Sequence, residues 1–204
     1  THNAEFNNDA FKSLGKTYTF EKLTHKFHAC CHGTHSTIEA LLYLKNKFRI
    51  NAEDIDNISI FIHPQYLNVC NILLPKTSLE AKFSYKMITS MVMNEINTSL
   101  VQSFSDEICR DENILSFMQI VDVYPSKEIL ETSSKVTIKT KSKKIFTYEY
   151  DLNNLKSIND RKNKMISKTS SLLGNKMSVS LWNLLENEEK LPSNWIWNNY
   201  NKNL

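Results

Sequence analysis

Four of the six histidines and two of the four cysteines fall within residues 24–35: His25, His28, His32 and His35, with Cys30, Cys31 and Lys26 between them. Three chemistries suit such a window. A helix opening directly after Thr34 would present unpaired backbone N–H groups and partial positive charge. Lys26 and nearby histidines would add full charge, so a di- or tricarboxylate would be held well there. Burial and neighbouring cations lower the pKa of lysine and histidine toward neutrality, which would let Lys26 or a histidine act as general acid or base. A second chemistry is zinc binding, for which His28, Cys30, Cys31, His32 and His35 are competent ligands, although their spacing matches neither paired CxxC nor HExxH patterns. A third is thiol chemistry, since a cysteine at a helix N-terminus beside Lys26 has a lowered pKa. No Cys/His/Asn order points to acyl transfer, and small packing residues are the commoner role for such cysteines.

The elements that must position this window can be read from periodicity. Ser36 followed by Glu39 has the form of a capping box, and Ile38, Leu41, Leu42 and Phe48 repeat at helical spacing, which predicts a helix over 36–47. Ile58, Ile60 and Ile62 alternate with Ser59, Phe61 and His63, a half-buried strand ending at Pro64. After Pro75, the recurrence of Leu79, Phe83, Met87 and Met91 predicts a second long helix. A short helix over 113–117 then leads to a strand over 119–124 stopped by Pro125. Strands over 135–140 and 144–150 form an antiparallel hairpin with Val136 and Ile138 facing inward. Helices follow over 159–173, closed by Gly174, and over 178–187. Residues 5–34 read as irregular, with an apolar patch at Tyr18 to Phe20. The fold class is α+β: an antiparallel sheet with flanking helices, followed by C-terminal helices.

Composition narrows the function. A formal charge of +3 from 25 basic and 22 acidic residues, spread along the chain, is too even for a dedicated nucleic-acid surface. The one dense basic run, Lys139, Lys141, Lys143 and Lys144, reads as a solvated hairpin tip. No stretch approaches the length of a membrane span, and the first residues lack the layout of a signal peptide, so no membrane partner is expected. Four cysteines are too few for a disulfide scaffold, which fits a reducing, cytoplasmic setting. Only three glycines, Gly15, Gly33 and Gly174, leave no room for a glycine-rich phosphate loop. Trp182, Trp195 and Trp197 lie in polar company near the end of the chain, and unless they pack back on it they call for a partner surface.

The run from Lys26 through Cys30, Cys31, His32, Gly33, Thr34, His35 and Ser36, followed by Ile38, Glu39, Ala40 and Leu41, resembles the signature of the MmgE/PrpD family. Leu14 and Gly15, the strand from Ile58 to His63, the stretch from Leu79 to Ser84, and Phe104 to Asp106 agree in the same order. The resemblance covers most of residues 10–190. It implies a lid-type α+β domain, active in family members such as 2-methylcitrate dehydratase, cis-aconitate decarboxylase and iminodisuccinate epimerase against a large helical domain, with cofactor-free proton transfer beside a substrate carboxylate.

Carried over by residue, the resemblance places Lys26, Cys31 and His35 as catalytic, and His28, Thr34, Ser36, Lys82 and Ser84 as substrate-binding or domain-packing. No metal is implied. Cys31 stands where some decarboxylases of the family carry a histidine, a departure that counts against decarboxylation. The expected division is a lid-like domain over 1–154 and helices over 155–204 that would pack on a helical domain absent from this chain. Family chains are roughly twice as long, so the site is expected to be half complete, with a homodimer or a separate helical chain as partner and a small polycarboxylate as substrate. The competing expectation is a non-catalytic interaction or subunit domain.

Overall fold

In a chain where isoleucines alternate with polar residues, one face of the strand must find cover, and the computed structural model, which describes residues 8–16, 25–154 and 157–187, shows how. Strand β1 (Ile55–Ile62) buries Ile58, Ile60 and Ile62 on one face and turns Asn57, Ser59 and Phe61 outward. It is flanked by β2 (Val121–Pro125) and β3 (Ser133–Thr140), and β4 (Ile145–Asp151) completes a sheet of order β2-β1-β3-β4. The β1–β3 and β3–β4 pairs are antiparallel, and the hairpin carries Val136 and Ile138 inward as their alternation requires.

The sheet departs from a purely antiparallel one at its edge, where β2 runs parallel to β1 with Ile58 opposite Val121. A parallel neighbour needs a crossover that returns the chain to the same end of the sheet. Helices α2 (Ser78–Ala81), α3 (Tyr85–Met93) and α4 (Glu112–Met118) make it. The single long helix expected after Pro75 is thus two. The break falls at Lys82 and Phe83, and Ser84 restarts the helix by accepting a hydrogen bond from the Met87 N–H at 3.2 Å. Leu79, on the short piece, is exposed rather than packed.

Helix α1 (His35–Phe48) covers the same face of the sheet and is buried from its first residue through Leu41. The expected capping box is not formed. Thr34 is the N-cap and makes no side-chain cap bond, while the Glu39 carboxylate turns to other partners, described below. Ser36 and Thr37 bond the buried hydroxyl of Ser134 on β3 at 2.8 and 2.9 Å, fixing the helix start against the sheet. At the far end Lys45 donates to the Met93 carbonyl at 3.1 Å, closing the C-terminus of α3. Tyr43 stacks on Tyr148 at 3.8 Å between ring centres, so α1 also shields the edge strand β4.

Lys139 and Lys143 at the hairpin tip pair with Asp56, and their ammonium groups hold its carboxyl below the ordinary range. The last described elements are α5 (Ile158–Leu173), capped by Ser157, and α6 (Asn175–Glu186), joined through Gly174 at φ 80°. They pack on each other through polar links, among them Trp182 Nε1 donating to Thr169 at 2.8 Å. Trp182 therefore packs back on the chain. Trp195, Trp197 and the Tyr18 to Phe20 patch lie outside the described residues. Among the described residues, no helix is long and apolar enough to cross a membrane.

Candidate functional site

The segment ahead of α1 is held between two loops. The Ala29 N–H donates to the Thr98 carbonyl at 2.8 Å and the Cys31 N–H to the Lys82 carbonyl at 3.0 Å. His28 and Cys30 turn into the protein, while Cys31 stays partly exposed.

A tight turn over His32–Thr34 follows, pressed so close to the Tyr66 ring that a Cβ on Gly33 would lie 2.6 Å from it. Tyr85 donates its hydroxyl to the Gly33 carbonyl at 2.9 Å. Glycine is required here for close approach rather than for an unusual φ.

His28 Nδ1 lies 2.8 Å from the Thr98 hydroxyl and Nε2 lies 3.4 Å from Glu39. A carboxylate can only accept, so the proton belongs on Nε2 and the Thr98 hydroxyl donates to Nδ1. Glu39 also receives the ammonium of Lys164 from α5. Burial keeps the His28 pKa below its ordinary value, with Glu39 opposing and Lys164 and Lys168 assisting.

His35, the first residue of α1, stands edge-on to His28 at 5.1 Å between ring centres and tilted against His32 at the same 5.1 Å. One ring nitrogen bonds the Cys30 backbone, and the buried Nε2 finds no partner among the described residues. Burial, then the charges of His28, His32 and Lys26, push its pKa down to about 3. It is therefore a neutral imidazole with an unengaged lone pair at ordinary pH. His32, half-exposed, is also held below the usual range by burial and by Lys26.

Lys26 itself is exposed, and its charge also reaches Cys30 and Lys168. Beside it opens a cleft of about 430 Å³ whose lining includes Phe27, His28, Glu39, Thr98, Lys164 and Lys168. Lys168 donates to the Ser99 carbonyl at 2.7 Å, and burial lowers its pKa.

The structure thus gathers Lys26, His28, Cys31, Thr34 and His35 of the expected site residues around one helix start. Thr34 bonds the Cys31 carbonyl at 2.8 Å and meets the Cys30 sulfur at 3.2 Å. Ser36, Ser84 and Lys82 are engaged elsewhere: Ser36 with Ser134, Ser84 as the cap of α3, and the Lys82 ammonium 6.0 Å over the Phe104 ring. Thr98, Lys164, Lys168 and Cys70 join the cluster without having been legible in the sequence, because they come from remote loops and helices with no motif of their own. Glu39 was legible only as part of a capping box. Among the described residues, no three of His, Cys, Asp and Glu gather as a metal site would require.

An α+β lid-type domain, with cations and neutral histidines concentrated where its first helix begins, is the class defined by fold and site together. Residues 28–157 match the MmgE/PrpD C-terminal domain, and the chain belongs to the MmgE/PrpD family. The matched span opens at His28, two residues after Lys26, and ends just before α5. No curated protein matches the chain.

Proposed function

We propose that the chain contributes the lid side of a lyase site acting on a small polycarboxylate, with cofactor-free proton transfer of the 2-methylcitrate dehydratase kind. The observation that carries this reading is the pairing, at one helix start of an MmgE/PrpD domain, of an exposed cation with imidazoles kept neutral by burial. Lys26 would pair with a substrate carboxylate. A neutral histidine, for which the half-exposed His32 is placed and behind which the buried His35 stands, would take the proton from the carbon beside that carboxylate. The hydroxyl leaving the neighbouring carbon would depart as water with a proton from an acid of the site, for which the Cys31 thiol is a candidate. His28, Thr34 and the Glu39 carboxylate would hold these groups in place, and Ser36, Lys82 and Ser84 would serve the packing of the lid.

The site is read as completed by a helical domain, in a second copy or in a separate chain. Support for this comes from α5 and α6, which leave Ile158, Leu172, Val179 and Leu185 exposed. Residues 155–204 would pack on such a domain while residues 1–154 form the lid. A second reading, a non-catalytic interaction domain, draws on the exposed Leu73, Leu74 and Leu79.

The test is the thermal midpoint of the purified chain with citrate, 2-methylcitrate and cis-aconitate, before and after Lys26→Ala. A ligand at a hundredfold its Kd adds about 2.7 kcal/mol. A shift abolished by the substitution supports the lyase site. No shift, with no activity gained on mixing in a helical partner, leaves the interaction domain.

A further inference from the structure

Cys70 lies in the loop after β1, far from Cys31 in sequence, yet it donates its S–H to the Cys31 sulfur at 3.1 Å. The same short segment anchors both backbones: Cys31 N–H bonds the Lys82 carbonyl at 3.0 Å, and the Cys70 carbonyl accepts from the Tyr85 N–H at 3.2 Å. The sulfurs are held together by the fold rather than meeting through mobile side chains. The geometry points to Cys31 and Cys70 as an oxidation site, in which a hydroperoxide attacks at Cys31 and Cys70 resolves the product to an internal disulfide.

Accessibility assigns the two roles. All four cysteines are free, and Cys31 alone among them is not buried, so it meets the oxidant first. Cys30 is a poor competitor, because it is buried against Thr34 and burial pushes its thiol up to about 11. Cys109 is remote, its sulfur bonded to the Thr77 carbonyl at 3.4 Å. Burial also raises the Cys70 thiol, which makes it a poor first target for the oxidant and leaves it the resolving role that its place beside Cys31 gives it.

In the first step the Cys31 sulfur takes the terminal oxygen of the hydroperoxide. The O–O bond breaks, and an alcohol, or water from hydrogen peroxide, leaves with the thiol proton. Cys31 is then a sulfenic acid. In the second step the Cys70 sulfur attacks the Cys31 sulfur, the S–O bond breaks, and water leaves carrying the Cys70 proton. The two sulfurs together lose two electrons and the peroxide gains them.

Cys31 is also an acid candidate of the proposed lyase site, so its reversible capping would switch that site off. This consequence rests on the lyase reading, whereas the disulfide does not.

Thiol counting and peptide mapping after hydrogen peroxide treatment of the whole chain form the test. The expected result is a fall from four titratable thiols to two, a linked Cys31–Cys70 peptide, and full recovery with dithiothreitol. Cys70→Ala should abolish the linked peptide and leave a Cys31 sulfenic acid that dimedone traps, while Cys30→Ser should leave the linkage intact. Retention of all four thiols, a link to Cys30 or Cys109, a disulfide between two chains, or over-oxidation of Cys31 without a link would each overturn the assignment. None of these readouts depends on polycarboxylate binding.

Discussion

The stretch from His28 to Leu41 and the α5–α6 hairpin are both rich in polar side chains, yet the protein treats them differently. In the first, histidines, threonines and a glutamate are driven into the interior and given partners from other elements: His28 with Thr98, Ser36 with Ser134, Glu39 with Lys164. In the second, α5 has no buried residue, and α6 buries only Met177 and Ser178. Buried polar groups fix one geometry because leaving any of them unpaired is costly. A surface hairpin attached by a few charged links has no such constraint. The candidate chemistry sits in the region whose geometry is most tightly determined, and the least determined region supplies the cations Lys164 and Lys168.

The largest effect should come from the core beneath the first region. Ile60→Ala on the central strand should cost about 2–5 kcal/mol in denaturant unfolding, and a loss under about 1 kcal/mol would mean the sheet is not the structural base of the site. Lys164→Ala, which takes a charged partner from a buried carboxylate, should cost about 1–3 kcal/mol. If it costs nothing, α5 is not docked through Glu39 and the two regions are independent.

A smaller effect appears as pH dependence. The His35 pKa is pushed down to about 3 in the folded chain, so between there and the ordinary value of 6.5 the unfolded chain binds more protons. Stability is therefore full above that window and falls as pH drops through it, by at most about 1.4 kcal/mol per pH unit from this group. The lowered His28 and His32 act in the same direction. Unfolding midpoints at neutral and mildly acid pH, compared with His35→Gln, should show the slope flatten in the variant. The smallest effect belongs to the hairpin: Leu172→Ala on its exposed face should change stability by less than about 0.5 kcal/mol. A large loss there would show that α5 packs against something in solution, as docking on a helical domain demands.

Local pattern made much of this legible. The alternation at Ile58 to Ile62, the inward Val136 and Ile138 and the spacing after Ser36 each reflect a single element with one buried face, the stop at Gly174 reflects a local helix terminator, and each element stands where these signals put it. The His/Cys window was visible as a density of reactive types, and its family signature needed only the order of residues. Less legible were features where two local rules compete. Ser36 and Glu39 obey the capping-box spacing, but burial of the helix start offered Glu39 a histidine and a lysine instead, and a charge-assisted bond in a dry site outweighs a cap in water. The Leu79 to Met91 period ran through a break, because the Ser84 cap acts locally and hydrophobic spacing does not register it.

By itself the sequence determined the α+β class, the order of its elements and the segment where reactive side chains concentrate, since these follow from spacing along one strand or helix. Tertiary structure alone decided that β2 runs parallel beside β1, that Glu39 joins His28 to Lys164, that His35 is neutral with a free nitrogen, and that Cys70 meets Cys31. Each of these joins residues far apart in the chain through pairing, burial or charge, and such quantities exist only once the surfaces that exclude water have closed.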